Sequence, residues 1–165
     1  ATTQEFAPPI DNDLPTAVFF IGDSIGEGMH TLLWAQRMFS DYFKNFIFIS
    51  SGVVDVNSYE SEKALDQLKR KVDKRLQYFV NYSKQHGIAA ISLCSFGTDP
   101  VQKLIEVSEE IKAKFKLPIF FSARLVLKND SWFTRQLHNE TPMTLQRNLH
   151  LRGMQMIILP VMLGK

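Results

Sequence analysis

Ala17-Val-Phe-Phe-Ile-Gly-Asp-Ser-Ile-Gly-Glu-Gly-Met-His30 is the stretch that decides how the chain is read. Ala17 to Ile21 are apolar without interruption, as suits a strand buried on both faces. Gly22-Asp-Ser-Ile-Gly26 then supplies turn formers, and apolar residues return at helical spacing from Met29. Strand, glycine-containing turn and helix, in that order, open an α/β unit. Ligands of such units sit in the crevice above the strand's carboxyl end.

The same alternation continues outward. Met29, Leu32, Leu33, Ala35, Phe39 and Phe43 predict a helix over about residues 27–42, and Phe46 to Ser51 a second buried strand. Leu65, Leu68, Val72, Leu76, Phe79 and Val80 form the stripe of a long helix over about 59–85, which Gly87 ends. Lys63, Lys69, Arg70, Lys71, Lys74 and Arg75 lie between them and read as its solvated face. Ile88 to Phe96 is a third strand. Asp99 as cap, Pro100 at the first helical position and Gln102 behind it start a further helix. Pro118 to Val126 is a fourth strand. A short helical turn around 132–137, a helix from Thr141-Pro142 to Gly153, and a strand over Met154–Val161 complete the pattern. Alternating strands and helices predict a three-layer α/β/α sandwich. Its sheet is five-stranded and mostly parallel, in the flavodoxin-like order 3-2-1-4-5. Residues 1–15, with three prolines, read as a linker or tail, and 16–165 as the domain.

A length of 165 residues suits one domain with a proper core, and 45% apolar with 22% charged residues is ordinary for a globular protein. Thirteen Phe against two Trp predict a phenylalanine-rich core. A net charge of +2 is too small to argue for nucleic acid or an anionic membrane surface. No apolar run approaches the roughly 20 residues of a bilayer span. The single cysteine, Cys94, excludes an internal disulfide and, lying in an apolar run, reads as a buried inert thiol. The start at Ala rather than Met suggests a fragment of a longer protein.

Gly22-Asp23-Ser24 after an apolar strand is also the opening of GDS-type esterases, where the serine is the nucleophile. That chemistry needs a general base and oxyanion donors. In that class an Asp-x-x-His supplies the base, but here Arg135, Arg147 and Ser83 stand three residues before His138, His150 and His86. Lys128-Asn129-Asp130 lacks the glycine of the oxyanion block. The chain is therefore not expected to be an enzyme. Nor is a metal expected, since His30, His86, His138 and His150 fall singly. Gly22, Gly26 and Gly28 have the wrong spacing for a dinucleotide fingerprint, and no cofactor is expected. What remains is the crest of the sheet. Gly22, Asp23, Ser24, Gly97, Thr98, Ser122 and Arg124, with His138, Asn139 and Thr141 at a predicted helix start, should gather there as a candidate anion or nucleotide site. The plain alternative is that they only cap helices.

Phe19-Phe-Ile-Gly-Asp-Ser24 and Gly97-Thr-Asp-Pro100 within this layout resemble the universal stress protein fold. Gly28-Met-His-Thr-Leu-Leu-Trp-Ala-Gln-Arg37, Leu137-His-Asn-Glu-Thr141 and Leu145–Pro160 are similar to the C-terminal cytosolic domain of bacterial permeases of the amino acid–polyamine–organocation superfamily. That resemblance implies an upstream transmembrane transporter domain, a place at the cytoplasmic face of the bacterial inner membrane, and roles in regulation and homodimerisation. Nucleic acid is not implied. ATP-binding universal stress proteins carry glycines after the fourth strand. This chain has Ser122-Ala-Arg-Leu125 and Asn139-Glu-Thr141 instead, so ATP in the usual mode is not expected. Some related carriers respond to cyclic dinucleotides. The alternatives are a free-standing nucleotide-binding stress protein and, behind it, the esterase.

Overall fold

The computed structural model describes residues 7–53, 61–127 and 132–163, with side chains for 7–52, 62–123 and 142–161. Five strands and four helices alternate: β1 (Thr16–Phe20), α1 (Ile25–Met38), β2 (Asn45–Val53), α2 (Ser61–Gln85), β3 (Ala89–Gly97), α3 (Pro100–Lys114), β4 (Pro118–Leu127), α4 (Trp132–Leu151) and β5 (Gln155–Leu163). The sheet order is β3-β2-β1-β4-β5, and all four pairings are parallel. This is the flavodoxin-like α/β sandwich that the alternation predicts.

Because both faces of a parallel sheet are covered, neighbouring residues of β1 serve different layers. Ala17 and Phe19 face α1 and α2, whereas Val18 faces α3 and α4. The phenylalanines are unevenly shared. Phe19, Phe43, Phe46, Phe48, Phe79 and Phe121 are buried on the α1/α2 side, against Phe115 and Phe120 on the other. Phe19 stacks between Phe48 and Phe121, at 5.3 and 5.4 Å between centroids. Such pairs each add about 0.5–1.5 kcal/mol beyond the area they bury.

Local chemistry explains most element ends. Asp99 Oδ1 accepts from the Gln102 N–H at 3.1 Å, and Pro100 is the first residue of α3. Gly87 (φ 74°) and Gly153 (φ 77°) take the left-handed conformation just beyond α2 and α4, where a Cβ would be strained. Two boundaries differ from expectation. α1 stops at Met38, yet Phe39 and Phe43 still look helical in sequence because both pack on Phe121 from the turn that follows. α4 runs unbroken from Trp132 through Pro142, so no helix starts at His138–Thr141. Proline keeps a helical φ and removes one backbone hydrogen bond, which a long helix can bear.

Residues 10–14 pack under the amino ends of the strands. Asn45, 1% exposed, accepts from the Asp11 N–H at 3.1 Å and donates to the Asp11 carbonyl at 2.7 Å and to Thr16 Oγ1 at 2.9 Å. Cys94 is a correction. It is exposed, because β3 is an edge strand and the apolar run around it faces alternate sides. Partial desolvation raises its thiol above the usual range, and the Asp73 carboxylate adds to the rise.

Candidate functional site

The chain leaves β1 toward β2 and β3 and returns to the opposite side through β4, so β1 and β4 flank the topological switch point. A cleft of about 550 Å³ opens there, above the carboxyl ends of β1, β2 and β4. A larger cavity of about 910 Å³ lies at the other end of the sheet, against Pro8, Pro9, Phe39 and His86. Strand topology favours the smaller one for ligand binding, since the carboxyl ends of the strands carry the helix N-termini.

The β1–α1 turn forms one wall. Ser24 is the N-cap of α1, its hydroxyl oxygen accepting from the Glu27 N–H at 3.2 Å. The N–H groups of Ile25 and Gly26 precede the first intrahelical bond, which Gly28 donates to the Ser24 carbonyl at 3.3 Å. They therefore remain available to a ligand. A Cβ at Gly22 would meet nothing within 4 Å, and one at Gly26 only Ser24 Oγ at 3.6 Å. Of the two, Gly22 lines the cleft and keeps its wall low. Gly28 has the opposite role: a Cβ there would lie 2.5 Å from Phe79, so it lets α1 close onto α2.

Strands β2 and β4 furnish the floor. Ser50 donates to the Ile21 carbonyl at 2.9 Å, and Ile21 donates its N–H to Ile49 at 2.8 Å, which ties the turn to β2. Ser51, Ser122 and Ala123 continue the floor, with Pro142 and Leu145 of α4 opposite. Ser122 is buried, and its hydroxyl reaches only its neighbour's carbonyl at 3.4 Å, a weak contact.

Of the residues singled out from sequence, Gly22, Asp23, Ser24 and Ser122 line this cleft. Gly97 and Thr98 do not. They follow the edge strand β3, where the Lys103 stem lies over Gly97. Arg124 pairs with Pro160 in the sheet, while His138, Asn139 and Thr141 lie within α4; the side chains of these four fall outside the described residues. Ser50, Ser51, Glu27 and Pro142 were not singled out. Two serines closing an otherwise apolar strand were the available signal for the first pair.

Arg75 corrects the solvated-face expectation. Its side chain is 10% exposed, and Nη1 donates to the Gly22 carbonyl at 2.8 Å and to Asp23 Oδ1 at 3.4 Å. A residue of the basic run thus holds the turn. Ser24 has no imidazole partner among the described residues; its contact there is the cap. Among the described residues, no three His, Cys, Asp or Glu gather as metal ligands. No described helix is long and apolar enough to cross a membrane.

No protein-family model matches the sequence, and no curated protein matches it. Solved structures do. A universal stress protein family protein from Burkholderia pseudomallei aligns with TM-score 0.60 at 12% identity, over 88% of this chain and 96% of its own. A family protein from Arabidopsis thaliana, solved with AMP bound, aligns with TM-score 0.56 at 14% identity, over 88% and 92%. A protein described as hypothetical aligns with TM-score 0.57 at 15% identity, over 92% and 97%. The fold is therefore universal stress protein-like. At these identities the likeness speaks to the fold alone.

Proposed function

We propose that this chain is a non-catalytic regulatory domain whose crest cleft takes a nucleotide or a similar small anion. The observation that carries the proposal is the cleft at the switch point. Its volume of about 550 Å³ lies within the range of roughly 300–1,000 Å³ of small-molecule sites. The first-turn N–H groups of α1 suit a phosphate, and Asp23 with Glu27 suits the hydroxyls of a ribose. Asp23 and Glu27 would oppose a phosphate placed beside them, so the base and sugar belong on their side of the cleft. AMP in the Arabidopsis protein supports the same ligand class. Calorimetric titration with AMP, ATP and a cyclic dinucleotide tests the idea. Saturable binding that disappears in Gly22→Leu, which fills the cleft from a position where a Cβ meets nothing, with the circular dichroism unchanged, is expected. Absence of binding, or equal binding by the variant, would refute it.

We further propose that the domain is the cytosolic appendage of a bacterial permease of the amino acid–polyamine–organocation superfamily, where ligand binding biases the carrier. Coupling requires unequal ligand affinity in two carrier states. The phrases around Gly28–Arg37 and Leu145–Pro160 support this assignment. Membrane-spanning segments encoded upstream in the same gene are expected, and a gene without them would favour a free-standing nucleotide-binding protein. The edge strand β5 offers a homodimer interface, limited at Pro160 by the missing donor. Light scattering should show a dimer, and a monomer at high concentration would remove that interface. The non-catalytic assignment predicts equal short-chain ester hydrolysis by wild type and Ser24→Ala.

A further inference from the structure

Charge is unevenly spread over the sandwich. Within α2 seven Lys and Arg face three Asp and Glu, a net of +4, whereas the whole chain carries +2. The distribution around the helix is sharper still. Lys63, Arg70, Lys71, Lys74 and Tyr78 recur at spacings of three, four and seven, all exposed, on the side opposite buried Val72, Leu76 and Phe79. Gln67, Gln77 and Asn81 fill the strip between them, with no carboxylate. Glu62, Asp66 and Asp73 share a separate stripe on the flank toward β3, where Asp73 acts on Cys94.

Helix α1 lies in the same layer. Both helices pack on one cluster, Tyr82 Oη meets Gln36 Oε1 at 3.4 Å, and Gly28 seats Phe79. Its outer surface carries apolar side chains together with exposed His30 and Arg37. Leu33 is 40% and Met38 61% exposed, while the acid of α1, Glu27, sits in its first turn at the crest. Tyr78, 49% exposed, adds an aromatic ring among the cations of α2. Cations beside exposed apolar side chains suit a surface with anionic headgroups over hydrocarbon. A nucleic-acid backbone would satisfy the cations and leave Leu33 and Met38 in water.

We infer that the α1/α2 layer docks on an anionic lipid bilayer, with Lys63, Arg70, Lys71 and Lys74 at the headgroups and Leu33, Met38 and Tyr78 at the interface. The inference stands apart from the crest cleft, so vesicle binding and nucleotide binding succeed or fail separately.

Sedimentation of the whole chain with phosphatidylcholine vesicles, with and without phosphatidylglycerol, is the test. Binding only to the anionic vesicles is expected, weakening as salt is raised. Each cation near such a surface is worth about fivefold in partitioning, so Arg70→Gln/Lys71→Gln/Lys74→Gln should lose on the order of a hundredfold. Lys103→Gln/Lys114→Gln/Arg147→Gln, which alters the opposite layer, should bind as wild type. In a Trp132→Phe background, Trp34 emission should shift to the blue on anionic vesicles. Three results would each overturn the inference. They are binding that ignores lipid charge, equal loss in the two triple variants, and binding to duplex DNA or polyglutamate without binding to vesicles.

Discussion

Arg75 offers the sharpest test of how the crest is held. One nitrogen serves two acceptors of different quality. The Gly22 carbonyl lies at 2.8 Å, whereas Asp23 Oδ1 lies at 3.4 Å on a side chain fully exposed to solvent. A charged donor to a carbonyl contributes about 1.5–3 kcal/mol when dry. Gly22 is exposed, so water replaces much of the loss in Arg75→Ala, leaving about 1 kcal/mol. Truncating a stem that is 10% exposed adds about 0.5 kcal/mol of lost packing. The sum, about 1.5 kcal/mol, lowers the urea midpoint by roughly 0.5–1 M at an m-value of about 2 kcal/mol/M. Asp23→Asn should leave the midpoint unchanged, because an exposed pair at that distance is screened. Arg75→Lys should recover part of the loss, since an ammonium can still reach the Gly22 carbonyl. Equilibrium urea unfolding of the three variants decides the matter. If Asp23→Asn costs as much as Arg75→Ala, or if Arg75→Ala unfolds with wild type, the carbonyl is not what anchors the turn.

Other sites give further expectations. Asn45→Ala leaves both backbone groups of Asp11 and Thr16 Oγ1 without their partner and should cost about 3 kcal/mol, with faster hydrogen exchange at Asp11; a loss under about 1 kcal/mol would show the 10–14 segment is held otherwise. Gly28→Ala favours the helix by about 1 kcal/mol, yet it should lower the unfolding free energy, by a net of about 1–2 kcal/mol, and with it the urea midpoint, because Phe79 is fully buried and stacked on Phe48. A stabilised variant would mean that ring can move. Iodoacetamide should label Cys94 slowly at neutral pH despite its exposure, and faster in Asp73→Asn. The same raised thiol disfavours the native thiolate, so its contribution to stability is intact below the ordinary thiol range and is lost as pH climbs through it. Labelling no slower than that of a small free thiol would contradict the raised value.

The fold was legible because its signals are local and repeated. Unbroken runs such as Phe46 to Ile49 mark strands buried on both faces, and Asp99-Pro100 marks a helix start by two independent preferences. The candidate site was legible only where it belongs to one turn, at Gly22, Asp23 and Ser24. In sequence Gly97 and Thr98 look part of it, because every β–α turn of a parallel sheet emerges on the same rim. Composition says nothing of how far apart two turns on that rim lie, and the edge position of β3 separates them. Arg75 could not be found from sequence for a similar reason. Its neighbours Lys71 and Lys74 are exposed, and only the approach of α2 to the β1–α1 turn turns it inward.

That placement joins the two proposed surfaces through one residue. Arg75 belongs to the helix that carries the outward cations, and it grips the turn whose N–H groups line the crest. A ligand that moved the turn would have to stretch or remake the Arg75 bond, and so would act on α2. Conversely, a bilayer that fixed α2 would bias the turn toward one position. Linkage then requires reciprocity: whatever factor the anionic vesicles change nucleotide affinity by, nucleotide must change vesicle affinity by the same factor. Arg75→Ala should bring that factor toward one, whatever it does to either affinity measured alone. Coupling that survives the substitution would place the connection elsewhere, with the Gly28–Phe79 contact as the other described bridge between the turn's helix and α2.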